Sequence, residues 1–164
     1  MSFKTTSKEE IKVIGVELKT TNQNNQAAIQ IPQFWQKFYA QNIKDQIPNN
    51  PSPRWLRIIN KIDDEILGLY IDYEGDFTKP YSFVICCKVS SLENIPNGMV
   101  GKTIPASKYA VFNSKGKFPE SLLKTWQDIW TSNLDRTYTG DFEIYKQNFS
   151  ATQNPKIDVY IATK

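Results

Sequence analysis

The 164-residue chain contains no histidine. That absence removes Ser-His-Asp and Cys-His triads, a histidine general base, and histidine-bearing zinc sites. Its two cysteines, Cys86 and Cys87, are adjacent in an apolar run. Neighbours on a strand point to opposite faces, so free thiols are expected rather than a disulfide, and the spacing fits no metal site. No metal and no other cofactor is expected. Neither thiol has a base to activate it, so any catalysis would rest on Glu, Asp, Tyr or Lys before Cys. No apolar run approaches the roughly 18 residues of a membrane-crossing helix. The first residues, MSFKTTSKEE, are polar and read as neither a signal peptide nor an anchor. Free thiols with no leader make the cytoplasm the expected compartment. Net charge is only +3, and the lysines are scattered rather than clustered. No basic groove is expected, and no direct nucleic-acid binding.

Aromatic residues are abundant instead. Eight tyrosines, nine phenylalanines and four tryptophans make up 13% of the chain. A core of this size needs fewer, and the surplus suits a cleft for flat ligands. Length and an apolar fraction of 40% fit one globular domain spanning 1–164. Residues 10–19 alternate as a first strand, and the stretch ahead of them leaves no room for a helix-turn-helix. Residues 27–43 form a helix, with Ile31, Phe34, Trp35, Phe38 and Tyr39 recurring at three- and four-residue spacing. Pro32 falls in its first turn or splits that turn from the rest. In the segment after Pro48, Ser52 and Pro53 would open a short helix. Strands at 65–73 and 81–89 make a hairpin, the second apolar enough to be central. The pattern then restarts, with a strand at 103–115, a helix at 119–130, and strands at 138–147 and 156–162. Two halves, about 10–90 and 102–164, thus repeat strand, helix, strand, strand. The expected fold is α+β: duplicated βαββ units with pseudo-twofold symmetry, an antiparallel sheet with helices on one side, and a central ligand groove.

One strand carries an oddity. In YTGDFEIY (138–145), alternation puts Phe142 and Ile144 on one face and Asp141, Glu143 and Tyr145 on the other. Carboxylates are poor strand formers. Glu143 is either on a solvated face, paired across the strand with Arg136 or Lys108, or held in an apolar cleft. In a cleft its lost hydration would raise its pKa. Asp141 shares its face but sits nearer the strand start and is expected in solvent.

The stretches IPQFWQKFY (31–39), 68–112 (GLYIDYEGDFTKPYSFVICCKVSSLENIPNGMVGKTIPASKYAVF), TWQDIW (125–130), YTGDFEIY (138–145) and KIDVYIA (156–162) resemble the GyrI-like small-molecule-binding domain. This is the effector-binding domain of AraC-type and MerR-type multidrug regulators, and the likeness is to its stand-alone, integron-cassette members. Residues 50–60 look like an insertion relative to them. The resemblance implies that Glu143 sits in an aromatic pocket and pairs with lipophilic cations. The expected walls are Tyr70, Tyr109 and Trp126 first, then Tyr73, Trp35 and Phe38. On a regular strand Tyr70 and Tyr73 would face opposite ways, so one of the two is expected to reach the groove.

Three functions follow from this resemblance. The first is a stand-alone receptor that senses or sequesters small cationic or amphipathic molecules, as a monomer or homodimer. The second is a hydrolase of strained electrophiles with Glu143 as general base and Tyr70 or Tyr109 steering substrate. The third is a protein-partner module of the gyrase-inhibitor kind, which the net basic charge disfavours in its DNA-mimicking form.

Overall fold

YSFVICCKV forms a strand with bounds Tyr81–Val89, and eight of its nine residues are buried. A strand buried on both faces must be central, and it pairs antiparallel with Ile66–Ile71 on one side and Ile11–Thr20 on the other. The computed structural model describes residues 2–47 and 63–164. The expected insertion at 50–60 and its short helix lie outside the described residues. The strands are β1 Lys4–Lys8, β2 Ile11–Thr20, β3 Ile66–Ile71, β4 Tyr81–Val89, β5 Val100–Ile104, β6 Ser107–Lys115, β7 Asp141–Tyr145 and β8 Lys156–Thr163. They form one antiparallel sheet in the order β1-β6-β8-β7-β3-β4-β2-β5. The helices are α1 Gln26–Ala40, a single turn α2 Ile43–Gln46, and α3 Glu120–Trp130.

Several expected bounds change for identifiable reasons. The polar KTTSK is an edge strand, β1, largely exposed and therefore without a hydrophobic signal. The expected strand 103–115 is two strands, because Pro105 offers no N–H to a ladder. The expected helix 27–43 stops at Ala40, and Asn42 takes the left-handed conformation (φ 48°) before α2. Pro32 lies inside α1, past its first turn. The strand expected at 138–147 is shorter, because Tyr138 is left-handed (φ 56°).

Each half therefore reads strand, strand, helix, strand, strand. Exchanging β1–β4 with β5–β8 reverses the strand order into itself, so the connectivity of the halves is equivalent. β6 is second in the sheet and β5 is eighth, six steps apart, yet only Pro105 and Ala106 join them. Six steps of a flat sheet span about 29 Å, at roughly 4.8 Å each. Three residue steps reach about 11 Å at most. The sheet must therefore curl until its ends approach. Its inner face is lined by Leu67, Leu69, Val84, Cys86, Tyr109 and Phe142, all nearly inaccessible to solvent, and among the described residues no helix residue joins this cluster. Each such side chain contributes about 1.5–3 kcal/mol by leaving water.

The two longer described helices, α1 and α3, lie on the other face. Phe38 from α1, and Leu122, Trp126 and Ile129 from α3, join the core cluster there. α1 packs chiefly on β2 and β4, and α3 chiefly on β6. The central strands β3 and β7 run between them and form the floor of the interval. Among the described residues, no helix is long and apolar enough to cross a membrane.

Candidate ligand-binding site

Glu143 stands on that floor. It lies opposite Gly68 in the β3–β7 register, and it is 2% exposed. The missing side chain at Gly68 makes the room: a Cβ there would come within 2.9 Å of Glu143 Oε2 and 3.3 Å of the Phe83 ring. Gly68→Ala is expected to push the carboxylate aside and to destabilise by about 1–3 kcal/mol in urea unfolding. Gly→Ala in a strand is otherwise favourable, so a gain in stability would show that the Glu143 side chain moves freely.

Three neutral donors hold the carboxylate. Trp126 Nε1 donates to Oε1 at 2.6 Å, the Tyr70 hydroxyl donates to Oε1 at 3.0 Å, and the Tyr145 hydroxyl donates to Oε2 at 2.6 Å. No described lysine or arginine forms an ion pair with it. Burial raises the Glu143 pKa above its ordinary value, against the opposing pull of the three hydrogen bonds. Burial and the neighbouring carboxylate push the Tyr70 and Tyr145 hydroxyls well above the usual phenol range, which keeps them neutral and donating.

Aromatic rings enclose this group. Tyr70 contacts Trp126 at 4.7 Å, Phe83 at 5.0 Å and Tyr81 at 5.7 Å between centroids. Trp35 of α1 meets Tyr145 at 4.8 Å. Trp130, further along α3, is partly exposed and lies 6.1 Å from Trp126. Among the described residues these rings touch and leave Glu143 almost no access to solvent. Hollows of about 220 Å³, beside Glu17, Asp72 and Lys102, and about 570 Å³, between Phe3 and α3, do not border Glu143.

Of the residues expected at the site, Tyr70 and Trp126 bond Glu143 directly, and Trp35 reaches it through Tyr145. Tyr73 also lies on this face, contrary to the alternation that separated it from Tyr70. β3 ends at Ile71, and the left-handed Asp72 (φ 53°) turns the chain, bringing Tyr73 against Tyr81 at 5.4 Å. Phe38 is 1% exposed and packs behind Trp35 at 5.9 Å, a core residue rather than a wall. Tyr109 is corrected outright. On β6 the residues Ala110 and Phe112 face the helices, so Tyr109 faces the inner side of the curl, against Phe142 at 5.4 Å. Tyr145 and Gly68 were not among the expected site residues. The alternation at DFEIY, which puts Tyr145 on the Glu143 face, was the available signal.

Asp141 is also corrected. It is fully buried rather than solvated. Its Oδ1 accepts the Ala162 N–H at 2.8 Å, and its Oδ2 accepts Tyr73 OH at 3.0 Å and Arg136 Nη2 at 2.7 Å. Arg136 is thus the partner of Asp141 and not of Glu143. Asp141 and Tyr73 outweigh burial and raise the Arg136 pKa further, so it stays charged. Among the described residues no cluster could hold a metal ion, and Cys86 and Cys87 are buried and form no disulfide.

A family model described as "Cass2: Integron-associated effector binding protein" matches residues 5–163. A protein of Bacillus subtilis (strain 168), provisionally named as transcriptional regulator YobU, is 31% identical over 137 residues, 82% of this chain and 79% of that one. The transcriptional regulator BrlR of Pseudomonas aeruginosa is 30% identical over 140 residues, 80% of this chain but only 45% of that protein. Among solved structures, an integron cassette protein of Vibrio cholerae superposes with a TM-score of 0.70 at 26% identity, covering 99% of this chain and 95% of its own. The structure of SAV2435 bound to tetraphenylphosphonium superposes with a TM-score of 0.75 at 20% identity, covering 100% of this chain and 94% of that one, a likeness of fold.

Proposed function

The chain belongs to the integron-associated effector binding proteins, and from that premise we propose that it binds lipophilic organic cations, with Glu143 as the counter-charge. Binding of a small molecule is the property of the family. The preference for a cation rests on one observation: a carboxylate 2% exposed, ringed by aromatics and held only by neutral donors among the described residues. Such a group has lost its hydration without gaining an opposite charge. A weakly hydrated cation supplies that charge, and ring faces add about 0.5–2 kcal/mol for each good cation–π contact. The ligand that SAV2435 carries, tetraphenylphosphonium, is of this class and supports the choice. Entry requires the Tyr70–Trp126 contact to part, which makes Trp126 both wall and reporter. The reading favours a sensor or a sequestering protein, and it assigns no transcriptional activity to this chain.

Tryptophan-fluorescence titration tests it, with tetraphenylphosphonium, neutral tetraphenylmethane-type analogues and tetraphenylborate. Saturable quenching by the cation alone is the expected result. Binding by the neutral compound with equal affinity would remove the role of Glu143. No binding, with consumption of a strained electrophile, would move Glu143 to the general-base role of a hydrolase. The pH dependence has a definite sign. Protonated Glu143 is neutral, so a cation must first displace the proton. Affinity for a cation with no titrating group is therefore expected to climb as pH rises from 4.5 through the raised pKa of Glu143, and then to level off. A flat profile over that range would contradict the assignment.

A further inference from the structure

Asp141 and Glu143 alternate on one face of β7, about 7 Å apart along the strand, and their surroundings are alike. Each carboxylate accepts a tyrosine hydroxyl at 3.0 Å, Tyr73 for Asp141 and Tyr70 for Glu143. The rings of Tyr70, Tyr81 and Tyr73 run continuously from one to the other, with centroid separations of 5.7 and 5.4 Å. The difference is Arg136. Its guanidinium pairs with Asp141 at 2.7 Å and lies 4.4 Å from the Tyr138 ring centroid and 5.9 Å from that of Phe77. Its Nε and Nη1 are buried and have no hydrogen-bond partner among the described residues. One carboxylate and two ring faces hold it, as they would hold a bound organic cation.

We propose that Arg136 is a tethered cation occupying a second carboxylate–aromatic subsite, continuous with that of Glu143, and that it restricts the groove to ligands bearing one positive charge. The inference rests on the reading of Glu143 as the cation's partner. Arg136 neutralises Asp141, and Glu143 remains the one buried carboxylate among the described residues without an opposite charge. A second positive group on a ligand then meets an occupied subsite and a like charge. Arg136 precedes β7 in the chain, so truncating its side chain changes no residue of the floor strands.

The test compares parent and Arg136→Ala with tetraphenylphosphonium and with bis-trimethylammonium alkanes of increasing chain length. The parent is expected to gain nothing from a second charge. The variant is expected to bind the dications about tenfold or more tighter than the parent does, with an optimum chain length set by the Asp141–Glu143 spacing. Ethylguanidine, which replaces the lost group, is expected to raise the Tm of the variant saturably and to leave the parent unchanged. Should Arg136→Ala fail to fold, Arg136→Gln carries the same comparison, because its amide still donates to Asp141. A folded variant with the parent's dication affinity and no response to ethylguanidine would overturn the proposal. Failure of the parent to bind tetraphenylphosphonium would remove the Glu143 reading instead, and the ethylguanidine response would still decide the Arg136 subsite.

Discussion

Glu143→Gln is expected to weaken tetraphenylphosphonium binding by about two orders of magnitude, close to 3 kcal/mol, while the protein still unfolds cooperatively. The loss follows because the amide offers the cation no charge in a site that excludes water. Retention of the fold follows from the donor geometry. The Gln carbonyl oxygen takes the place of Oε1 and accepts from Trp126 and Tyr70. Its amide nitrogen takes the place of Oε2, and the Tyr145 hydroxyl rotates to accept instead of donate. Stability has a sign of its own. A folded-state pKa raised by burial means that Glu143 favours the native state in acid, and this contribution is lost as pH rises through that pKa. The variant lacks this dependence, so its Tm relative to the parent should improve from acid toward neutral pH. Isothermal titration and thermal melts at several pH values give both readouts. Unchanged affinity would mean that the cation binds elsewhere.

Asp141→Ala is expected to be the most damaging single change to stability, about 3–5 kcal/mol. At roughly 2–4 °C per kcal/mol for a domain of this size, the Tm should fall by on the order of 10 °C. The Arg136 side chain is only 4% exposed and would keep its charge with no partner. Tyr73 OH and the Ala162 N–H would lose their acceptor at the same time. The double variant Arg136→Met with Asp141→Leu is expected to recover much of the loss, since removing both charges also removes the need to desolvate them. Urea denaturation of the three proteins measures this. A loss below about 1 kcal/mol for the single variant would show that Arg136 reaches water in solution.

Much of this was legible in the residues. YSFVICCKV predicts a central strand with the observed bounds, and DFEIY predicts the face that carries Glu143. Trp126 and Tyr70, two of the expected walls, hydrogen-bond Glu143. What was not legible depends on single backbone conformations and on distant partners. Asp72 in the left-handed region carries Tyr73 to the Glu143 side, which no alternation rule contains. Tyr109 fails as a wall because the curled sheet has an apolar interior of its own, and an aromatic residue suits that interior as well as a cleft. Asp141 looked solvated by its place at a strand end. The backbone N–H that satisfies it comes from Ala162 on the last strand, and the charge comes across the left-handed Tyr138 turn.

The sheet also has a temporal side. β1, made before the other seven strands, pairs among the described residues with β6 alone, and β2 has its outer edge covered there by β5 alone. Each half thus closes an edge of the other. A chain emerging from its N-terminus must leave two strand edges bare until residues 100–115 exist, and open edges invite association with other chains. The carboxylate arrives later still, on β7, and it is buried only when α3 and β3 are both in position. The groove therefore belongs to the finished chain alone. A ligand drawn to Glu143 in its aromatic shell selects molecules that have completed folding, and its binding free energy adds to the closure of the whole sheet rather than to either half.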